Sequence, residues 1–258
     1  NLITKLADYI HQAEKDKREI IKITHELYPD LTIEEAYLLQ EEVVRQKLEE
    51  GKQIVGPKMG ITSEAKMRQM NVDDPIYGYV FDDMLVDDGG VVHIDDYIHP
   101  KVEPEIGFVL KEDLVGPNVT LEDVLRVTEF VFPAVEIIDS RYKDFNFTLP
   151  DVIADNTSAA GAIFGSTVKR PDEMELDVVG VTLIINGEIR ALGAGAAVLG
   201  HPANSVARLA NMLSEKGEKV KAGQPILTGG ITEAVALARG DYVVAKYGGL
   251  GEVSFLVR

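Results

Sequence analysis

The chain has 258 residues, 45% of them hydrophobic and 27% charged, enough for one large domain or two small ones with a substantial buried core. Its formal net charge of −17 argues against nucleic acid or an anionic membrane as a partner, and would repel a small anionic ligand unless local cations or a metal ion attract it. There is no cysteine, which removes disulfides, thiolate metal sites and thiol nucleophiles; with no apolar run of membrane-spanning length and no signal-peptide core, a soluble cytoplasmic protein is expected.

The first fifty residues read as helical. Thr32 and Glu35 have capping-box spacing, Ala36, Leu39 and Val43 follow at helical spacing, and Gly51 is a stop signal. From residue 51 to about 92 the texture changes to short apolar pieces broken by Gly, Pro and Asp, with a turn at Gly89-Gly90. Strands are expected within 91–110, a short capped helix over 120–127 and a strand over 130–138. Asn186-Gly187 suits a type I′ turn in a hairpin over 181–189. A second amphipathic helix is expected over 202–216, ended by Gly217, and the strand-like pieces 225–227, 242–245 and 253–257 complete the chain. This is an α+β pattern without a linker: one catalytic domain, with a helical cap over 1–51 and a β-rich metal-binding body over 52–258.

The most informative stretch surrounds Glu103 and Glu105. On a strand, residues two apart share a face, so the two carboxylates lie side by side and repel unless water or a cation separates them. Pro104 between them lacks an N–H, and taken alone the pair more often marks a solvent-facing edge strand. Glu136 changes that balance, because it interrupts an otherwise apolar strand where an unpaired carboxylate is costly; its ordinary alternative is a buried salt bridge to Arg141. Three glutamates with no Cys or His nearby specify all-oxygen ligation, which favours Mg2+, Mn2+ or Ca2+ over zinc.

Lys58 sits between apolar residues and glycines. There it can attract an anion or transfer a proton, although a snorkelling surface lysine is the commoner fate. The five histidines lack metal-ligand spacing. Gly193-Ala194-Gly195 neither opens a long helix nor carries Gly-Lys-Ser/Thr, which excludes a nucleotide loop. The Asp pairs at 82–83, 87–88 and 95–96 read as a solvated face.

Several motifs in order resemble the 2-oxopent-4-enoate hydratase and 4-oxalocrotonate decarboxylase family, within the fumarylacetoacetase-like superfamily. They are Gly56-Pro57-Lys58-Met59-Gly60, His99-Pro100-Lys101-Val102-Glu103-Pro104-Glu105, Val135-Glu136-Ile137-Ile138-Asp139-Ser140-Arg141, Ala154-Asp155-Asn156-Thr157-Ser158, Gly200-His201-Pro202 and Leu227-Thr228-Gly229-Gly230. The resemblance runs through nearly the whole chain. It implies Glu103, Glu105 and Glu136 as ligands of Mg2+ or Mn2+, Lys58 as the active-site lysine, and Asp155, Ser158 and Thr228 close to the substrate. It also implies a mixed, rolled β-sandwich with N-terminal and peripheral helices, assembled into oligomers. The chain departs from the family pattern at Pro104, where a small Ala or Gly is usual, and at Thr157, where Ala is common.

Within the family, Lys66-Met67-Arg68-Gln69-Met70, Pro75-Ile76-Tyr77-Gly78 and Asp139 to Phe145 look like the decarboxylase branch; hydratases more often carry Asp in place of Ile76. The expected reaction is loss of CO2 from a small dicarboxylic 2-oxo acid, 2-oxohex-3-enedioate, to give 2-hydroxypenta-2,4-dienoate. The sister hydratase reaction, an acylpyruvate-type C–C hydrolysis and a non-enzymatic subunit that stabilises an associated hydratase are the alternatives. Beside that substrate, the resemblance implies further copies of the chain and the sister hydratase as partners.

Overall fold

The computed structural model describes residues 1–258. Two helices open it, α1 (Leu2–Asp16) and α2 (Ile33–Glu49). The capping box at the start of α2 forms as its sequence requires, with Glu35 N donating to Thr32 Oγ1 and Thr32 N donating to Glu35 Oε1, each at 3.1 Å. Then follow β1 (Ile54–Gly60), α3 (Glu64–Gln69), β2 (Ile76–Phe81), β3 (Leu85–Val86), β4 (Gly90–Val92) and β5 (Lys101–Leu110). The middle of the chain holds α4 (Leu121–Val127), β6 (Thr128–Ile138), α5 (Leu149–Ala154), β7 (Ala159–Phe164), β8 (Gly180–Ile185) and β9 (Glu188–Ala194). It closes with α6 (Pro202–Ser214), β10 (Ile226–Leu227), β11 (Val235–Ala236), β12 (Tyr242–Tyr247) and β13 (Gly251–Val257).

The α+β class expected from the sequence is the class observed. One mixed sheet runs β2-β1-β10-β5-β6-β7-β3, with β11 also on β5, and a second runs β4-β13-β12-β8-β9. A continuous core joins Leu6 and Ile10 of α1, Leu39 of α2, Ile106 of β5 and Phe255 of β13, and the Tyr247 hydroxyl of the second sheet donates to Ala134 O of the first. The hairpin turn at Asn186 and Gly187 has φ of 53° and 81°, as a type I′ turn demands.

The elements that sequence reading did not resolve include β7 and the helices α3 and α5, too short at six residues each to show helical periodicity, and the helical reading of the first fifty residues is interrupted between α1 and α2. The expected strand region 91–110 is interrupted by a 3₁₀ turn at Ile94–Asp96, which separates β4 in one sheet from β5 in the other. All six aspartates of the three pairs are exposed. Their side chains cap backbone and pair locally: Asp88 accepts from Ser254 N at 2.9 Å, and Asp95 meets Arg239 at 2.8 Å.

β5 is a central strand, not an edge. Pro104 is accommodated because its carbonyl, and hence its ring nitrogen, faces the stretch between β10 and β11, where the ladder on that side is interrupted and Ile231 N reaches Pro104 O at 2.9 Å.

Candidate metal centre and active site

Antiparallel pairing of β5 with β6 sets Glu103 directly opposite Glu136 and Glu105 opposite the small Ala134. The two-residue spacing on β5 adds Glu105 to the same face, so three carboxylates converge with one oxygen of each within 4.8 Å of the others. Glu105 and Glu136 are wholly buried and Glu103 is 6% exposed. Lys58 enters from β1, whose neighbour β10 links it to β5. Its ammonium donates to Thr157 O at 2.6 Å and lies 3.1 Å from Glu136 Oε2. That second approach lacks hydrogen-bond direction and is a charge contact, which leaves both Glu136 oxygens without a hydrogen bond.

The loop after β10 supplies the remaining support. Gly229 N donates to Glu105 Oε1 at 2.8 Å, while Glu105 Oε2 has no partner. Gly229 has φ of 120°, and a Cβ there would fall 2.1 Å from Thr62 Oγ1; at Gly230 it would lie 2.5 Å from Glu103 Oε2. Thr228 is fully buried and spends its hydroxyl on Ile106 O at 2.6 Å, which fixes this loop against β5.

Burial raises the Glu105 carboxyl well above its ordinary range, and repulsion from Glu136 and Glu103 adds to it. Burial likewise raises Glu136 to about 7, with Lys58 pulling the other way. Buried carboxylate oxygens without donors, gathered on one face and all hard oxygen ligands, fit a divalent cation: its charge removes the repulsion and its coordination satisfies the orphaned oxygens.

Opposite the cluster, Asn156, Thr157 and Ser158 have φ of 49°, 52° and 60°, three consecutive left-handed residues without a glycine. Each such conformation costs about 1–2 kcal/mol, so the surroundings must over-determine the turn. They do so from several sides. The Asn156 side chain pairs with both Tyr79 N and Tyr79 O at 2.9 Å, and Thr157 Oγ1 donates to Tyr77 O at 2.7 Å. Gly78 admits the turn because a Cβ there would meet Asn156 O at 2.6 Å. Thr157, a departure from the family pattern, thus uses the very hydroxyl that Ala would lack.

A cavity of about 380 Å³ opens onto this assembly. Its polar lining includes Lys58, Glu103, Thr157, Ser158, Lys66, Gln69 and Lys101, and its apolar lining Ile76, Ile138, Met70, Val152, Phe145 and Phe147. Ser158 Oγ is buried and without a hydrogen-bond partner. Ile76, singled out in sequence as a branch marker, reaches the cavity.

Of the residues expected near the site, Lys58, Glu103, Glu105, Glu136 and Ser158 come together. Thr228 stands behind the cluster as a loop anchor, and Asp155 faces Arg141 instead of lining the cavity, with Arg141 N donating to its Oδ2 at 3.0 Å. Burial raises Asp155 to about 7 against the pull of Arg141. Arg141, the alternative partner considered for Glu136, instead binds Glu14 at 3.1 Å and Asp155 at 3.6 Å, so its charge is answered there. Sequence reasoning missed Lys101 and the Phe145/Phe147 pair as cavity residues; the two aromatics flanking Asn146 in a loop were the available signal.

Residues 53–258 match the family model for the fumarylacetoacetate (FAA) hydrolase C-terminal domain. A 4-oxalocrotonate decarboxylase of Pseudomonas putida is 50% identical over 252 residues, covering 98% of this chain and 95% of that protein. A 2-oxo-hept-4-ene-1,7-dioate hydratase of Escherichia coli is 40% identical over 257 residues, covering 97% and 96%. Among solved structures, 4-oxalocrotonate decarboxylase from Pseudomonas putida G7, complexed with magnesium and adipate, aligns with a TM-score of 0.97 at 48% identity, over 99% of this chain and 97% of that one. The chain belongs to the fumarylacetoacetate hydrolase family, in the group that holds the 4-oxalocrotonate decarboxylases and their sister hydratases.

Two outcomes follow from this geometry. Glu105 and Glu136 are raised, so their protonated forms stabilise the metal-free protein fully below the ordinary value of 4.5, and the Glu136 contribution is lost as pH rises through about 7. Mg2+ must displace those protons at low pH, so it raises Tm more at pH 8 than at pH 6 in thermal-unfolding scans; an equal or inverted difference contradicts the carboxylate site. Gly78→Ala drives a Cβ into Asn156 and displaces the acceptor of Lys58, lowering kcat about tenfold or more in steady-state assays. Wild-type turnover in that variant would remove the turn from the mechanism.

Proposed function

We propose that this chain is a Mg2+-dependent lyase that decarboxylates 2-oxohex-3-enedioate (4-oxalocrotonate) to 2-hydroxypenta-2,4-dienoate and CO2. The observation that carries this reading is the cavity itself: Lys58 and Glu103 of the carboxylate and lysine cluster share its lining with apolar Ile76, Met70, Phe145 and Phe147, and Glu103 is its one acidic side chain. The 50% identity to a decarboxylase, against 40% to a hydratase, supports the same choice. No histidine lines the cavity, which disfavours a hydrolase that needs a His-Glu pair to activate water.

Glu103, Glu105 and Glu136 would hold Mg2+, or Mn2+ by the same hard-oxygen chemistry. When bound, the cation supplies Lewis-acid stabilisation to the C1 carboxylate and C2 oxygen of the substrate. The distal carboxylate then lies against the apolar wall, where exclusion of water favours release of neutral CO2 over retention of a charged group. As the C5–C6 bond breaks, its electron pair moves through the conjugated chain to the C2 oxygen, which takes up one proton to give the dienol. Lys58 is the ammonium at the polar end; held on Thr157 O, it faces the developing negative charge and delivers that proton. Ser158, with its hydroxyl unpaired, donates to the substrate carboxylate. Asp155 and Thr228 act from behind, through Arg141 and through the loop that bears Gly229.

The net charge of −17 would repel a dianion, and Lys66 and Lys101 in the cavity wall offset that field locally. Lys101 is braced by the Phe145 ring, its ammonium 4.2 Å from the centroid. Lys101→Met therefore raises KM several-fold, more at low than at high ionic strength, with a smaller change in kcat; initial-rate measurements in a salt series check this, and a salt-independent KM equal to wild type contradicts it.

No helix is long and apolar enough to cross a membrane. The absence of cysteine supports a cytoplasmic location. Ile189, Leu192 and Tyr242, exposed on the five-stranded sheet, support contacts with further copies of the chain or with the sister hydratase.

The deciding experiment is incubation with 2-oxohex-3-enedioate and, separately, with 2-hydroxypenta-2,4-dienoate, with Mg2+ and with EDTA. Mg2+-dependent CO2 release from the first is expected. Hydration of the second without CO2 release from the first would transfer the chain to the hydratase branch, and full activity in EDTA would remove the metal.

A further inference from the structure

The family model covers residues 53–258, yet a side chain of α1, outside it, reaches the group that shapes the active-site turn. Arg141 grips both ends of that turn. Its backbone N donates to Asp155 Oδ2 at 3.0 Å, its Nη1 lies 3.6 Å from Asp155 Oδ1, and its Nη2 donates to Ala159 O at 2.7 Å. Between these two anchors stand the three left-handed residues, one presenting its carbonyl to Lys58 and the next, Ser158, lining the cavity. Arg141 is 3% exposed, so its charge needs an ionised partner, and Asp155 meets it only at 3.6 Å. Glu14 supplies the closer one: its Oε1 lies 3.1 Å from Arg141 Nη2 and 2.5 Å from Lys47 Nζ of α2. Burial opposes the Glu14 charge, but Arg141 and Lys47 outweigh it and hold the carboxyl well below the usual range.

We propose that Glu14 is a positioning residue for the reaction, acting through Arg141 to hold the Asp155–Ala159 turn and with it Thr157 O and Ser158 Oγ. The N-terminal cap is then part of the active-site scaffold. Removing the Glu14 charge frees the guanidinium to turn toward Asp155 or solvent, and the clamp on Ala159 O loosens.

The test compares Glu14→Gln with Glu50→Gln. Glu50 also ties the end of α2 to α1, through His11 and through Lys15 at 2.9 Å, but does not touch Arg141, so its variant reports the cost of merely loosening the two helices. Three measurements are made on each: steady-state kinetics, titration with Mg2+ alone, and amide hydrogen exchange over residues 155–160. Glu14→Gln is expected to lower kcat about tenfold or more with KM and Mg2+ affinity within about twofold of wild type, and to speed exchange across the turn. Glu50→Gln is expected to lower Tm without either effect. Unchanged kcat and exchange in Glu14→Gln, or equal losses in both variants, would overturn the proposal. If Glu14→Gln does not fold, Glu14→Asp, which keeps the charge but withdraws it by one methylene, carries the same comparison. The proposal rests on the lyase reading for its turnover arm alone. A wild type that acts on neither substrate would remove that reading, while the exchange arm still decides the clamp.

Discussion

Three buried glutamates converge on one face of the first sheet with Lys58 as the one buried ammonium beside them, and this imbalance of charge governs the architecture around it. Burying an ion carries an effective penalty of several kcal/mol even after relaxation, and like charges in contact add to it. The fold meets this with few donors: Gly229 N for one oxygen of Glu105 and the Lys58 charge for Glu136. Glu105 Oε2 and both Glu136 oxygens are left without a hydrogen bond. The strands that carry the glutamates are therefore central, and the loop that closes over them carries two glycines where any side chain would collide.

The opposite wall is built by a different device. Backbone strain in Asn156, Thr157 and Ser158 aims a carbonyl at Lys58 and sets Ser158 in the cavity lining, and several elements hold it: β2 through Tyr77 and Tyr79, the loop after β6 through Arg141, and α1 through Glu14. The cavity lining is thus mixed, with polar side chains from β1, β5 and the turn and apolar ones from α5 and the loop with Phe145 and Phe147. That mixture suits a reaction that takes up a charged conjugated acid and releases a neutral gas.

Much of this was legible in the chain before any coordinates. The two-residue period of a strand puts Glu103 and Glu105 on one face, and the apolar run around Glu136 makes that glutamate conspicuous. That Glu136 falls opposite Glu103 is a matter of strand register, which no local pattern reveals. Pro104 misleads in isolation, since it suggests an edge; it is tolerated at the centre because the ladder on its side is broken between two short strands. The left-handed turn carries no glycine to announce it, and its support comes from residues far apart in sequence. Arg141 was legible as a buried charge but not its direction, because its partner lies on a helix at the other end of the chain.

The most direct test of the central claim is diffraction from crystals soaked in Mn2+, recorded at a wavelength where manganese scatters anomalously. The account predicts one strong peak within about 2.0–2.3 Å of an oxygen from each of Glu103, Glu105 and Glu136, with Lys58 beside it and not bound to it. A peak elsewhere, or none at saturating Mn2+ with the three glutamates unchanged, would contradict it.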